Sequence, residues 1–287
     1  MNTKIRKLYI LLISLIPILI SSCSTKLIEY DSIDNNSSSS NISGKLTISG
    51  STSMTKLSNA LGEEFSKIYP NISVEKSDTG SGAAVNSVLS ATALIGDISR
   101  ELKESESPQK FNQVTIAFDG IVLIVNKNNP INNLTSQQIK DIFHSKITNW
   151  QEVGGNNQPI ILIGREESSG TRENFENIFN PEGYHINYHA EFPESGDIIS
   201  KVSSDSSAIG YISLASTSDN IKALSIDGIK ATNENIINNV YTLKRPFIQI
   251  YLKDTENIII EKWFEFIRSE KGQQIISNQS FIPNKIN

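Results

Sequence analysis

The sequence has little cysteine: its 287 residues include a single one, Cys23. One cysteine excludes an internal disulfide and a thiolate metal cluster. Basic residues are outnumbered, at 26 Lys and Arg against 31 Asp and Glu, and no basic patch of the kind that binds nucleic acid stands out. The sequence also has no internal repeat, and no low-complexity segment after Ser43. These absences argue against disulfide-rich, thiolate-metal and nucleic-acid-binding classes.

Long apolar runs are scarce as well, and the N-terminal one is short. It extends from Leu8 to Ile20 and follows three basic residues, Lys4, Arg6 and Lys7. A membrane-spanning helix needs about 20 apolar residues. A shorter run behind a basic segment is typical of a secretory signal peptide, which we predict over residues 1–22.

The predicted cleavage site lies before Cys23. Ile20, Ser21 and Ser22 lead directly into this cysteine, and the four residues resemble the bacterial lipoprotein box, in which the cysteine is acylated and becomes the new N-terminus. The resemblance predicts lipidation at Cys23. It also implies a lipid-anchored protein on the extracytoplasmic side of a bacterial cell membrane.

The segment 23–43 is predicted to be a tether. It contains the run NNSSSSNIS, and such a polar composition cannot bury enough apolar surface to offset the entropy of ordering. Loss of residues 1–22 removes three positive charges and no negative charge, so the balance becomes 23 minus 31, or -8. If this acidic chain binds an anion, it must use local donors, since its net field opposes the ligand.

Strand and helix signals alternate after the tether. Apolar residues recur at helical spacing from Met54 to Ile68, between two predicted strands. This βαβ pattern predicts a mostly parallel sheet. The elements predicted in this half are the strands Lys45–Ser49 and Ile72–Lys76, a helix over 83–94, and a long strand, Val114–Asn126.

A second α/β run follows the long strand. Thr135 and Gln138 have the spacing of a capping box, with Leu134 and Ile139 as a hydrophobic staple. Further along we predict strands at Ile160–Ile163, Ala208–Ser213 and Tyr241–Tyr251, a helix at Thr171–Phe179, and a final amphipathic helix whose Ile259, Trp263, Phe266 and Ile267 lie in the core.

Two α/β runs joined by two extended crossings predict a clamshell with a ligand in its cleft. The first lobe is expected to comprise residues 44–124 and 249–287, and the second lobe residues 125–248. The strands Val114–Asn126 and Tyr241–Tyr251 are the predicted crossings.

Three segments rich in Gly, Ser and Thr stand where a strand gives way to a helix: GSTSM at 50–54, TGSG at 79–82 and GREESSGTR at 164–172. A helix N-terminus has free N–H groups and a partial positive charge, which suit an anion. Taken alone, the first segment also fits ordinary N-caps and the second a tight turn. In the third, Arg165 offers a bidentate fork and Ser169, Gly170 and Thr171 offer further donors. The lysine of a Walker P-loop is missing, which disfavours a nucleotide.

Six motifs in this order carry a family resemblance: GSTSM, TGSG, IGDISRELK, AFDGIVLIVNKNNP, ITNWQEVGG and REESSGTR. Together they resemble the PstS family of phosphate-binding proteins from Gly50 to Thr171, and SEKGQQII resembles its final helix. The resemblance implies a type II periplasmic-binding-protein clamshell that carries inorganic phosphate to an ABC permease of two membrane subunits and an ATPase. It implies no enzymatic activity and no cofactor, and we expect a monomer.

The resemblance also implies which residues contact phosphate. They are Thr52, Ser53, Ser81, Arg165, Ser169, Gly170 and Thr171, with Ser99 and Arg100 in a further ligand-facing segment. Some members of the family have aspartate where Ser99 stands. Many have glycine in place of Ser168, where a side chain either changes the loop or points to solvent.

Asp119 is our candidate acceptor for the proton of hydrogen phosphate. Sulfate has no such proton at neutral pH, so it would leave a buried acceptor unpaired, at about 1 to 3 kcal/mol or more. Sites built around such a hydrogen bond discriminate by about 10⁴ or more. The alternative is that Asp119 caps the turn before Gly120 or pairs with Arg100.

Other functions remain open at this point. The chain could bind sulfate, molybdate or tungstate, act as a lipid-anchored phosphatase, or serve in addition as a sensor or adhesin. No nucleophile stands beside a recognisable base, so we predict no catalytic residue. His185 and His189 are four apart, but their surroundings indicate a loop, and we predict no metal site.

Overall fold

The computed structural model describes residues 42–284. The predicted signal peptide, Cys23 and residues 23–41 of the predicted tether lie outside this range. Ile42, at the predicted end of the tether, packs against the hydrophobic core. No helix within residues 42–284 is long and apolar enough to cross a membrane.

The described residues form a mixed α/β fold, as the sequence predicts. The strands are β1 (Gly44–Gly50), β2 (Ile72–Asp78), β3 (Ile95–Ile98), β4 (Phe111–Asn126), β5 (Asn133–Leu134), β6 (Ile161–Arg165), β7 (Ala190–Phe192), β8 (Ala208–Ser213), β9 (Ile221–Ala223), β10 (Ser225–Ile226), β11 (Lys244–Leu252) and β12 (Ile282–Pro283). The α-helices are α1 (Thr55–Ile68), α2 (Ser81–Leu89), α3 (Ser136–Phe143), α4 (Gly170–Phe179), α5 (Ser195–Ser204), α6 (Asn233–Ile237), α7 (Ile258–Arg268) and α8 (Glu270–Asn278). Short 3₁₀ helices cover Thr52–Met54, Glu104–Glu106, Pro108–Lys110, Trp150–Val153 and Leu214–Ser216.

One sheet runs through the described residues, in the order β2-β1-β3-β11-β4-β8-β6-β7, with β9 and β12 also paired to β4. The strands at each end are parallel to their neighbours, as expected for βαβ units. The middle strands β11, β4 and β8 are antiparallel. The sheet is therefore mixed, because the chain returns through its centre on β11.

The apolar side chains divide into two groups of cores. We call the part built around residues 46–117 and 247–281 the first lobe. The part built around residues 121–243 is the second lobe. The cores place residues 121–124 with the second lobe and 247–248 with the first, so the observed division lies a few residues from the predicted lobe boundaries but within the predicted crossings. The full lobe boundaries remain a prediction.

Local sequence signals explain several elements. The Thr135 hydroxyl accepts the Gln138 amide at 3.1 Å, and the Gln138 side chain accepts the Thr135 amide at 2.8 Å, so the predicted capping box is confirmed. The aromatic residues predicted for the core of α7, Trp263 and Phe266, are buried.

The predicted helix over 83–94 is wrong at its C-terminal end, because α2 ends at Leu89. Ala91 adopts a left-handed conformation with φ of 54°. The amides of Thr92 and Ala93 both bond to the Ser87 carbonyl, and Leu94 already bonds to Thr47 of β1. The chain turns here to bring β3 beside β1.

Candidate anion-binding site

A cluster of buried hydroxyl groups lies where β1, β3 and α2 of the first lobe meet. The Ser51 hydroxyl donates to Ser99 Oγ at 2.9 Å, and the Ser81 and Ser99 hydroxyls are 3.3 Å apart. All three serines are almost fully buried. The cluster brings together the GSTSM, TGSG and ISRELK segments, as the motif pattern predicts.

The second lobe reaches this cluster through the N-terminus of α4. Thr171 Oγ1 lies 2.8 Å from Ser53 Oγ across the cleft. A Cβ atom on Gly170 would come within 2.6 Å of the hydroxyls of both Ser81 and Ser99. Glycine is therefore needed at this position for the two lobes to approach so closely.

Two α-helices begin at the cluster, α2 at Ser81 and α4 at Gly170. Ser169 caps α4, because its hydroxyl accepts the Arg172 amide at 3.3 Å. The first N–H groups of a helix have no partner within the helix and carry a partial positive charge. Both helix ends therefore favour an anion in the cluster.

Arg165 is buried beside the cluster with a relative exposure of 2%. Its guanidinium donates to the carbonyls of Phe192 and Pro193, at 3.2 and 2.6 Å, and to the hydroxyls of Ser195 and Thr52, at 3.2 and 2.7 Å. All four acceptors are neutral, and no described carboxylate forms an ion pair with this side chain. Burial, together with the positive charge of Arg245, lowers the pKa of Arg165 to about 10. Within residues 42–284 the side chain is a buried cation with no carboxylate in ion-pair contact, although the charges of Glu166 and Glu194 favour its charged form from a longer distance.

The backbone of Arg165 is held on both sides. Its amide donates to the Tyr211 hydroxyl at 3.4 Å, and its carbonyl accepts from Arg172 Nη1 at 2.9 Å. Gly164 precedes it on β6, where a Cβ atom would come within 2.5 Å of the Tyr188 ring. The fork of Arg165 is thus fixed in place by the packing of the second lobe.

Arg245, which the sequence pattern did not single out, lies on the other side of the cluster. Its Nε and Nη2 atoms donate to Asp119 Oδ2 at 3.0 and 2.7 Å, and its Nη1 donates to Thr171 Oγ1 at 2.6 Å. Arg245 and Asp119 are directly paired residues of β11 and β4. The side chains are 0% and 1% exposed, so the ion pair is dry.

Asp119 therefore pairs with an arginine, but with Arg245 and not with Arg100 as the alternative prediction had it. The Ser213 hydroxyl donates to Asp119 Oδ1 at 3.0 Å. Burial raises the pKa of Asp119, and the guanidinium of Arg245 opposes this shift. The charges of these three buried side chains, two guanidinium groups and one carboxylate, sum to one excess positive charge.

Arg100 points away from the hydroxyl cluster. Its guanidinium binds both carboxylate oxygens of Glu106, at 2.8 and 2.7 Å, and its Nε lies 2.7 Å from Glu173 Oε2. The predicted contact of Arg100 with phosphate stays a prediction, but two carboxylates already occupy this side chain. Ser168 is exposed and lies against Gly80, where an added Cβ atom would be 2.7 Å from its hydroxyl.

A cleft of about 330 Å³ adjoins the cluster and is lined by both lobes. Thr52 and Ser53 line it from the first lobe, and Ser195, which bonds to Arg165, lines it from the second. The Thr52 and Ser195 hydroxyls therefore lie between this cleft and the guanidinium of Arg165, and both accept hydrogen bonds from it.

The histidines have structural contacts. His189 Nδ1 accepts the Leu162 amide at 3.0 Å, and His144 Nε2 lies 3.0 Å from the Asn180 side-chain oxygen. His185 lies outside any helix. Within residues 42–284, no group of three or more His, Cys, Asp or Glu side chains is placed to hold a metal ion.

Comparison with known proteins adds to this geometry. The sequence model of the PBP superfamily domain matches residues 35–271. The phosphate-binding protein PstS of Bacillus subtilis is 30% identical over 254 residues, which are 84% of this chain and 81% of that protein.

Two solved structures are similar to the whole described region. A phosphate ABC transporter substrate-binding protein from Clostridium perfringens, solved with bound phosphate, is 39% identical with a TM-score of 0.81, over 84% of this chain and 100% of that one. An ABC-type phosphate transport receptor from Vibrio cholerae is 33% identical with a TM-score of 0.71, over 83% of this chain and 100% of that one. These similarities confirm the fold class expected from the sequence.

Proposed function

Because this chain belongs to the PstS phosphate-binding proteins of the PBP superfamily, we propose that it captures inorganic phosphate in the cleft and delivers it to an ABC importer. The relatives named above are phosphate-binding proteins and substrate-binding proteins of phosphate transporters. The candidate site of this chain supports the same ligand.

The single observation that carries the proposal is the state of Arg165. A guanidinium removed from water and bonded only to neutral groups is costly unless an anion joins it. Phosphate supplies the missing charge, and it accepts two hydrogen bonds from the planar fork where it takes the place of the Thr52 and Ser195 hydroxyls. An oxyanion in the proposed site would therefore stabilise the closed form.

The remaining proposed contacts come from both lobes. They are Thr52, Ser53, Ser81 and Ser99 from the first lobe and Ser169, Gly170 and Thr171 from the second, with Arg245 oriented toward them through Thr171. Hydroxyls and helix amides donate to phosphate oxygens without adding charge. A ligand that bonds to both lobes favours the closed form, because only that form offers all contacts at once.

Asp119 is proposed to make the site selective. Arg245 favours its ionised form, and an ionised carboxylate only accepts hydrogen bonds. Hydrogen phosphate has a proton to donate to it, whereas sulfate has none. Molybdate and tungstate lack it in the same way.

For its place in the cell, we propose lipidation at Cys23 and attachment to the extracytoplasmic face of the membrane. The proposed partner is a permease of two membrane subunits and an ATPase, which receives phosphate from a monomeric binding protein. No chemistry on phosphate is proposed. Turnover of a generic phosphate ester by the purified, metal-supplemented protein would contradict this.

Calorimetric titration of the purified full chain tests the proposal. The protein is freed of ligand by unfolding and refolding, then titrated with phosphate and with sulfate. We expect one phosphate per chain, bound tightly, and no heat from sulfate. No binding of phosphate, or a preference for sulfate, would overturn the proposed function.

A further inference from the structure

A cluster of charged side chains joins the two lobes outside the hydroxyl cluster. Glu173 of the second lobe lies 2.7 Å from Arg100 Nε and 3.1 Å from Lys103 Nζ, both of the first lobe. Arg100 is also bound by Glu106 on its own side of the cleft. Two cations and two carboxylates make the cluster neutral, and each carboxylate contacts a cation.

The cluster is partly withdrawn from water. The side chain of Arg100 is 5% exposed, that of Glu173 is 22% exposed and that of Lys103 is 50% exposed. Salt screens buried and partly buried pairs less than exposed ones. Within residues 42–284, Arg100 Nε makes no hydrogen bond of good geometry, so its contact with Glu173 at 2.7 Å is electrostatic. Water and salt screen it less than they screen the more exposed contact between Lys103 and Glu173.

Glu173 belongs to the same helical turn as the proposed phosphate contacts. It lies in the first turn of α4, three residues after Gly170. Next to it, the Asn174 side chain donates to the Ser99 carbonyl at 2.8 Å, and before it the Ser168 carbonyl accepts the Gly82 amide at 3.2 Å. The first turn of α4 thus cannot leave the first lobe unless the ion pair to Glu173 breaks.

We infer that Glu173 is a positioning residue for phosphate binding: with Arg100 and Lys103 it forms a latch that holds α4 against the first lobe and slows release of the ion. This inference rests on the proposed function for the identity of the ligand. Glu173 and Lys103 are not among the predicted phosphate contacts, and the guanidinium of Arg100 is bound by Glu106 and Glu173, so the latch stabilises the closed form with any ligand in the cleft. It sets the rate of release and leaves selectivity unchanged.

The test measures release of radiolabelled phosphate from the full chain after an excess of unlabelled phosphate is added. Glu173→Gln is compared with Glu167→Gln, which removes the same charge from the loop before α4. Glu167 is exposed and forms no ion pair with another described residue. We expect release about three- to tenfold faster for Glu173→Gln. Glu167→Gln should stay within about twofold of the unchanged protein, since exposed charges away from specific contacts matter little.

Ionic strength separates a latch from a general loss of stability. Added salt should speed release from the unchanged protein modestly, because it weakens the exposed contact between Lys103 and Glu173, and it should have less effect on Glu173→Gln, in which that contact is already gone. The ratio of phosphate affinity to sulfate affinity should be the same in the unchanged protein and in Glu173→Gln. Equal release rates for Glu173→Gln and Glu167→Gln would overturn the inference.

A second measurement needs no phosphate. Hydrogen exchange at the Gly82 amide, which bonds across the cleft, reports opening of the ligand-free protein. Exchange should be faster in Glu173→Gln than in Glu167→Gln, and equal exchange would count against the latch. If the unchanged protein bound no phosphate, the proposed function would fail while this comparison still tested the latch.

Discussion

Replacement of Arg165 tests the central argument most directly. In Arg165→Met the buried cation disappears, and phosphate loses two charge-assisted hydrogen bonds of about 1.5 to 3 kcal/mol each. Affinity should fall by about 10² to 10⁴, at 1.4 kcal/mol per factor of ten. Arg165→Lys keeps the charge but not the planar fork, so its affinity for phosphate should lie between those of the unchanged protein and Arg165→Met. Arg268→Met, at an exposed position of α7, is the control for net charge.

The ligand-free protein should be affected far less. The pKa of Arg165, about 10 instead of 12.5, corresponds to a cost of about 3 kcal/mol for holding the charge in the folded protein at neutral pH. The variant loses this cost but leaves two carbonyls without their donor, at about 1 to 3 kcal/mol each, whereas the Thr52 and Ser195 hydroxyls line the cleft and can bond to water there. The two effects oppose each other, so the ligand-free melting temperature should change little.

Calorimetry gives the affinities, and thermal unfolding with and without phosphate gives the stabilities. For the unchanged protein, phosphate at a hundred times its Kd should add about 2.7 kcal/mol to the free energy of unfolding. In Arg165→Met at the same concentration this gain should fall to about 0.4 kcal/mol or less. Phosphate binding by Arg165→Met within tenfold of the unchanged protein would refute the argument from the uncompensated cation.

Three further substitutions address other parts of the molecule. Asp119→Asn should weaken phosphate far more than sulfate in calorimetric titration and lower the free energy of unfolding by about 3 to 5 kcal/mol, because Arg245 stays buried without its counter-ion. If the affinities for phosphate and sulfate fell equally, Asp119 would only neutralise the charge of Arg245. Gly170→Ala places a methyl group 2.6 Å from two serine hydroxyls, which should weaken phosphate binding about tenfold or more; unchanged affinity in the same titration would show that closure is not so tight. Thr135→Ala removes the N-cap of α3 and should lower the free energy of unfolding by about 1 kcal/mol in denaturant unfolding. Phosphate affinity should not change, because α3 carries none of the proposed contacts, and a loss of affinity would contradict this.

Local patterns were sufficient for much of the fold and for the segments that meet in the hydroxyl cluster of the candidate site. The spacing of apolar residues located α1 and α7, and the Ser and Gly segments located the helix ends that face the hydroxyl cluster. Each of these signals lies within a few neighbouring residues, so it can be interpreted without knowing which strands pair.

The part that sequence reasoning missed depends on long-range pairing. Arg245 stands in the site only because β11 pairs with β4 in a register that sets it opposite Asp119, 126 positions earlier in the chain. No local motif marks it. Arg100 shows the reverse case, since its motif suggested a ligand contact while Glu106 and Glu173, from two different segments, bind its side chain. A short strand such as β3 was missed because four residues carry too little periodicity.

The position of β11 also has a consequence for how the chain becomes folded. This strand, residues 244–252, inserts between β3 and β4, which precede it by more than a hundred residues. During synthesis, β3 and β4 are made before β11, and each would have an unpaired edge that could pair with the other or with a neighbouring chain. The first lobe can therefore not complete its sheet until nearly the whole polypeptide has been made, and the native topology is reached late, through contacts of high sequence separation that form slowly.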